Sequence, residues 1–258
     1  EVYVMARSAF AQKYCEKLFP HATYELTTTD PEFSEFFQNF AFDEVINEEA
    51  AQLPDRERML VIIATLLGCQ SVDLYKEMVS AALEMGVSPV ELREVTYQAV
   101  AYLGFGRVYP FFAVLNQVFE QHNIEVPLFG QATTTPETRL AAGNAVQIAY
   151  FGEGMRESWK QGPQERAHIN RWLADNCFGD YYTRTGLSDK DREMITFCYI
   201  AAQGGCEPQL TAHASGNMNL GNDKDFLYRV VSNMLPYIGY PRSLNALTCI
   251  DNAADQRA

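Results

Sequence analysis

The sequence predicts an all-helical protein made by tandem duplication of one helical module. No stretch alternates for long with the period of two that a half-buried strand needs, while apolar residues recur at helical spacing. The segment LGFGR, Leu103 to Arg107, is echoed by IGYPR, Ile238 to Arg242. A constant shift of 135 carries Gly86, Leu92, Tyr102, Gly104 and Arg107 onto Gly221, Leu227, Tyr237, Gly239 and Arg242. Nearer the start of each copy a shift of 134 carries Leu53 onto Leu187 and Arg58 onto Arg192, so one residue has been gained or lost between.

Residues 1 to 20 carry an amphipathic pattern (Met5, Phe10, Tyr14, Leu18), followed by a polar, turn-like TTTDPE. Asp30 before Pro31 reads as a helix start, with the aspartate as cap and proline in the first turn. An aromatic-rich helical region fills 31 to 50. Pro54 opens a helix through Leu67, GCQS breaks it, and a second helix runs from Asp73 to Met85. Ser88 and Glu91 form a capping box around Pro89 for a third helix reaching Tyr102, which Gly104 and Gly106 end before a fourth begins near Val108. Pro127 to Arg139 reads as a linker ending in a cap at Thr135. Residues 137 to 160 look helical and are broken by Gly162 and Pro163. The expected organisation is an N-terminal helical extension over 1–52, a first module over 53–126, a linker and helix over 127–167, and a second module over 168–258.

The 258 residues, 47% hydrophobic and 12% aromatic, can bury a substantial core. A formal charge of -13 repels phosphate backbones and anionic lipid, so nucleic acid is not an expected partner. The longest apolar run, Met59 to Gly68, is about half the length of a membrane span and carries Thr65, so no transmembrane segment is expected. Six cysteines lie scattered with no CxxC pair, as reduced thiols in a cytoplasm would. The chain starts at Glu1 without a basic and apolar leader, which leaves a processed export signal open. The four histidines, His21, His122, His168 and His213, form no HxxxH or CxxH grouping, so no metal site and no cofactor are expected.

The copies differ in chemistry. Where the second has Glu193, Cys206, Gln209 and His213, the first has Met59, Ser71, Leu74 and Met78. A different gap would pair Cys69 with Cys206 and still leave the first copy without a histidine. Whether Met59, Leu74 and Met78 line a hydrophobic pocket is open on sequence. In REMITFCYIAAQGGCEPQLTAH, Gly204 and Gly205 end one helix and Pro208 suits the first turn of the next. Cys206 therefore sits near a helix N-terminus, where the partial positive charge favours thiolate. Gln209 and His213 are neighbours on one helix face. Cys206 and His213 are roughly 10 Å apart along a helix, too far for a direct thiol–imidazole bond. Glu193, on the preceding antiparallel helix, is placed to face His213 and hold its tautomer. Arg58 and Arg192 are expected to pair with carboxylates, Arg107 and Arg242 to serve packing or an interface, and the other five cysteines to be small buried hydrophobes.

The two-copy pattern, the RE followed by GGCEPQLTAH, the glycine eight residues after the histidine and the closing YIGYPRSLNAL resemble the carboxymuconolactone decarboxylase family, whose members include alkylhydroperoxidase D. The resemblance covers Pro31 to Asn252. It implies an all-helical fold of alkylhydroperoxidase D-like modules, assembly as trimers or hexamers, here a homo-oligomeric trimer of tandem chains, and a site of Glu193, Cys206, Gln209 and His213. The peroxidase branch uses a CxxC; Gln209 stands at its second position, which removes the partner thiol. The expected function is therefore acid–base chemistry of the lactone or keto-acid decarboxylation type on a small organic acid or carbonyl compound. His213 would be the acid or base, Glu193 would orient it, and Gln209 and Cys206 would bind or polarise substrate. The alternatives are a thiol-dependent peroxidase using Cys206 and a non-catalytic oligomeric scaffold or redox sensor.

Overall fold

Capping chemistry sets most helix boundaries. The computed structural model describes residues 6–20 and 26–257, so Met5 and His21 lie outside the described residues. Helix α1 (Ala9–Leu18) starts where Ser8 Oγ accepts from the Ala11 N–H at 3.0 Å. The stretch expected as a polar turn contains one helical turn, α2 (Leu26–Thr29). Pro31 opens α3 (Pro31–Asn39), but Asp30 does not cap it, because its carboxylate accepts from Thr29 Oγ1 at 2.7 Å. A π-helical stretch, Phe40–Glu44, leads into α4 (Val45–Asn47).

The first module continues as α5 (Asp55–Gly68), α6 (Val72–Glu84), α7 (Pro89–Leu103) and α8 (Phe105–Gln121), with the capping box of Ser88 and Glu91 formed. Gly104, at φ +82°, makes the corner between α7 and α8 alone, so α8 begins at Phe105 and Gly106 lies inside it. After the linker, α9 (Arg139–Phe151) starts behind Thr138, not Thr135, and Gly152 at φ +101° ends it; residues 153–160 hold only short 3-10 turns. Helix α10 (Ala167–Trp172) runs into a second π-helical stretch, Leu173–Tyr182. The second module follows as α11 (Asp189–Gln203), α12 (Glu207–Asn219), α13 (Lys224–Ile238) and α14 (Tyr240–Asp255). No strand occurs among the described residues.

Helix α5 begins 134 positions before α11 and ends 135 before it, so the extra residue lies within α11. Ser71 and Cys206 are then equivalent, each the N-cap residue of the next helix.

Helices α5 and α11 pack against each other at the centre. Met59 to Gly68 and Asp191 to Ala202 are buried with no solvent face. The crossing depends on Gly68, where an added Cβ would meet Ala202 Cβ at 2.7 Å and the Tyr199 carbonyl oxygen at 2.8 Å. Each module covers the other's central helix, α7 lying on α11 and α13 on α5. The two buried arginines follow the same exchange: Arg58 Nε donates to Asn233 Oδ1 at 3.1 Å, and Arg192 donates to Gln98 Oε1 at 2.9 Å. Arg58 also pairs with Asp55 at 3.1 Å, and Arg192 and Arg184 share the buried Glu94 at 3.1 and 2.8 Å. Arg56 binds both Asp191 and Glu91, acidic members of the capping boxes of α11 and α7. Neither module therefore holds a complete core without its partner.

Because both neighbours of Gly68 are backbone or Cβ of the facing helix, they cannot rotate away. Gly68→Ala is expected to destabilise the protein by about 1–3 kcal/mol through overpacking, read as a lower denaturation midpoint with unchanged slope; an unchanged midpoint would show that the helix pair slides freely.

Candidate active site

The second module's polar residues converge because α11 and α12 are antiparallel neighbours joined by a three-residue corner with Gly204 and Gly205 at φ +74°. His213, two turns into α12, turns Nδ1 onto the Glu193 carboxylate of α11, at 3.1 Å to Oε1 and 3.0 Å to Oε2. A carboxylate can only accept, so Nδ1 carries the proton and Nε2 is left with no protein partner among the described residues.

Glu193 is fully buried, and its charge must be met by hydrogen bonds. Tyr182 OH donates to Oε1 at 3.2 Å. Tyr182 in turn contacts Thr196 Oγ1 at 2.6 Å and Tyr102 OH at 2.5 Å, which uses its one proton and both lone pairs. Burial pushes the Tyr102 and Tyr182 hydroxyls far above the ordinary tyrosine range, so both stay protonated. Gln98 Nε2 donates to Thr196 at 2.9 Å and links this chain to Arg192. Asn217 bonds the backbone carbonyls of Glu193 and His213 at 3.0 and 2.8 Å, fixing the two helices in register.

The His213 ring is held edge-on between Tyr102 and Phe151, with centroids 5.4 and 5.3 Å away. Gly216, one turn beyond, makes room for this packing: a Cβ there would come within 2.7 Å of both Glu193 Oε2 and Phe151.

Beside His213 opens a cavity of about 500 Å³, walled by α7, α9, the second π-helical stretch, α11 and α12. Cys206 and Gln209 line it with His213, whereas Glu193 stands behind the histidine. Gln209 is exposed at the rim, and Cys206, half-buried, accepts from Gln203 Nε2 at 3.4 Å. Among the described residues no hydrogen bond joins Cys206 to His213, in keeping with their separation along the chain. Cys177 also lines the cavity; burial pushes its thiol up to about 12, and it donates to Tyr102 OH at 3.8 Å. No group of residues suited to a metal ion occurs among the described residues. His122 bonds Ser80 and His168 meets the Trp172 ring edge-on, and neither histidine lines the cavity.

Site neighbours not singled out from the sequence are Tyr102, Gln147, Phe151, Tyr182, Thr196, Gly216 and Asn217. The first of these comes from the first module. Several carry the copy-to-copy difference that marks His213: Thr196, Gly216 and Asn217 stand where the first copy has Ile62, Ala81 and Ala82. The corresponding place in the first copy is lined by Tyr237, Pro236, Phe42 and Ala41, matching Tyr102, Ala101, Phe178 and Cys177. Met59 fills it where Glu193 stands in the second, and only about 10 Å³ remains, room for about one water.

Comparison with known proteins fits this double construction. The model of the carboxymuconolactone decarboxylase family matches residues 31–117 and 167–252, one match per copy. The chain belongs to the carboxymuconolactone decarboxylase family. A solved protein of Burkholderia xenovorans LB400, described as a "putative gamma-carboxymuconolactone decarboxylase subunit", superposes with a TM-score of 0.54 at 19% identity, covering 96% of this chain and 97% of that one. At that identity the likeness concerns the fold. No curated protein matches the chain. Both family segments include a π-helical stretch ahead of the central helix.

The raised Cys177 thiol gives a pH dependence whose sign is set by linkage. Its folded value, about 12, lies above the unfolded one, so its share of stability is whole below about pH 9 and is lost as pH rises towards 12. Cys177→Ala is expected to flatten the alkaline limb of the stability curve between those limits by up to about 1.4 kcal/mol per pH unit, measured by urea unfolding at stepped pH. An unaltered limb would mean that the thiol ionises as readily folded as unfolded.

Proposed function

We propose that the second-module cavity is the active site of a carboxymuconolactone decarboxylase-like enzyme that moves protons on a small carbonyl compound. The observation that carries this reading is His213 itself, with Nδ1 held by a sealed carboxylate and Nε2 left to a cavity of substrate size. A neutral imidazole so held accepts a proton at Nε2 from a carbon next to a carbonyl. The imidazolium that forms lies against the Glu193 carboxylate, and the same proton returns to product. Glu193 and Tyr182 are positioning residues; Gln209 and Cys206 are wall groups that contact substrate.

Cys206 is the only support for the peroxidase alternative. A disulfide cycle would need a second thiol, and the other thiol in the cavity wall, Cys177, is held protonated by burial. The exposed Gln209 at the rim supports an accessible site, which weighs against a scaffold.

Assembly as a trimer of tandem chains accompanies this reading. Phe105 and Tyr109 at the start of α8, and Tyr240 and Leu244 at the start of α14, are exposed at equivalent positions, as residues of a repeated interface would be. No helix among the described residues is long and apolar enough to cross a membrane. The free thiols suit a cytoplasmic setting.

The test is deuterium exchange next to the carbonyl of a panel of cyclic ketones, lactones and keto acids, followed by NMR. His213→Gln is expected to slow exchange by about 10²–10⁴-fold, while Cys206→Ser stays within about tenfold of wild type. Peroxide consumption that vanishes in Cys206→Ser and survives His213→Gln would replace the proposal with the thiol peroxidase.

A further inference from the structure

The wall of the cavity carries no fixed charge. None of its fourteen lining residues is a lysine, arginine, aspartate or glutamate. An anion entering it would leave water for Phe151, Met155, Leu173, Phe178 and Ile200 without a countercharge. His213 does not supply one, since any positive charge on its ring is matched by Glu193 at 3.0 Å. The chain as a whole, at -13, repels anions further. A dicarboxylate or other acid is therefore the wrong occupant.

Besides His213 Nε2, a buried amide faces the cavity with nothing to bind. Gln147 of α9 is 1% exposed, and the orientation of its amide is settled by a chain of bonds. The Glu157 backbone N–H can only donate, and it donates to Asn144 Oδ1 at 3.0 Å. Asn144 Nδ2 is therefore the donor to both the Met155 carbonyl and Gln147 Oε1, each at 2.9 Å. That leaves Gln147 Nε2 without a protein partner among the described residues. It is not among the buried nitrogen and oxygen atoms shut away unsatisfied, so it opens on the cavity that Gln147 lines. The other two glutamines of the wall differ: Gln203 is bonded to Cys206, and Gln209 is exposed. By the alignment of Tyr14 with Tyr150, the first copy has Ala11 at this position, where only about 10 Å³ of space remains.

We propose that the site takes an uncharged, mainly hydrophobic carbonyl compound, a substituted lactone or cyclic ketone, whose carbonyl oxygen accepts from Gln147 Nε2. The inference rests on the acid–base role of His213. When Nε2 of the histidine removes the neighbouring proton, the electron pair of the C–H bond passes towards the carbonyl oxygen, and the Gln147 amide stabilises the charge that gathers there. The proton then returns from Nε2 and the oxygen loses its charge, so nothing is oxidised or reduced.

The experiment is equilibrium binding, by calorimetry, of alkyl- or phenyl-substituted γ- and δ-lactones and cyclic ketones, each paired with a carboxylated analogue of similar size. Wild type is expected to bind the neutral member of each pair at least about tenfold more tightly. Gln147→Met, chosen for its matching volume, should cost the neutral ligands about tenfold, while loss of the Asn144 bond lowers the melting temperature only modestly. Equal or tighter binding of the carboxylates, no binding by any neutral member, or wild-type affinity in Gln147→Met would each overturn the inference. Binding is read without turnover, so a neutral preference without deuterium exchange would fault only the acid–base reading. Exchange on carboxylates bound as tightly as neutral ligands would fault only the substrate class.

Discussion

The arrangement around the site follows from burying one carboxylate. Glu193 sits on the central helix of the second module with no exposure, and an unpaired ion there would cost several kcal/mol. Its oxygens are met by His213 and Tyr182, and its carbonyl by Asn217. Each partner imposes a further demand. Tyr182 needs Thr196 and Tyr102 for its remaining lone pairs, Thr196 takes Gln98, and Gln98 holds the buried Arg192. A continuous polar path thus runs from an ion cluster at Glu94 to the imidazole, and every residue on it is fixed by another. The small residue at Gly216 completes the arrangement by letting helix, carboxylate and Phe151 approach at one point.

The first module shows the same helices closed without that carboxylate. Met59 replaces Glu193, Ile62 replaces Thr196 and Met78 replaces His213, and the space closes to about the size of a single water. The central helices do not need a polar site to pack. Duplication therefore left one copy to serve stability and gave the other a partner wall. That service is direct, because α7 of the first module lies on α11 and supplies Tyr102 to both the carboxylate's network and the face of His213. The cavity beside His213 is walled by residues of both modules.

Much of the helical plan was legible in the residues. The capping boxes, the glycine corners and the shift of 135 place nearly every helix, since these signals act over a few residues and are written locally. Where caps and boundaries differ, the reasons are local: Thr29 occupies the carboxylate of Asp30 and leaves α3 uncapped, Gly104 turns the chain without Gly106, the turn at Thr135 places the start of α9 behind Thr138, and Gly152 ends α9 well before residue 160. The contact of Glu193 with His213 was legible too, because a short glycine corner leaves two antiparallel helices little choice of partner face.

What the sequence by itself determined was the helical class, the duplication and the copy that carries polar chemistry, all of which depend on residue type at fixed spacing. Only the tertiary structure decided that Tyr102 and Gln147 belong to the site, that the first copy's space is filled, and that the cavity wall is uncharged. Gln147 lies 66 positions before His213, and its free amide is set by Asn144 and the Glu157 backbone. No periodicity records such an arrangement. It arises from helices packed across the duplication, where distance in space no longer follows distance along the chain.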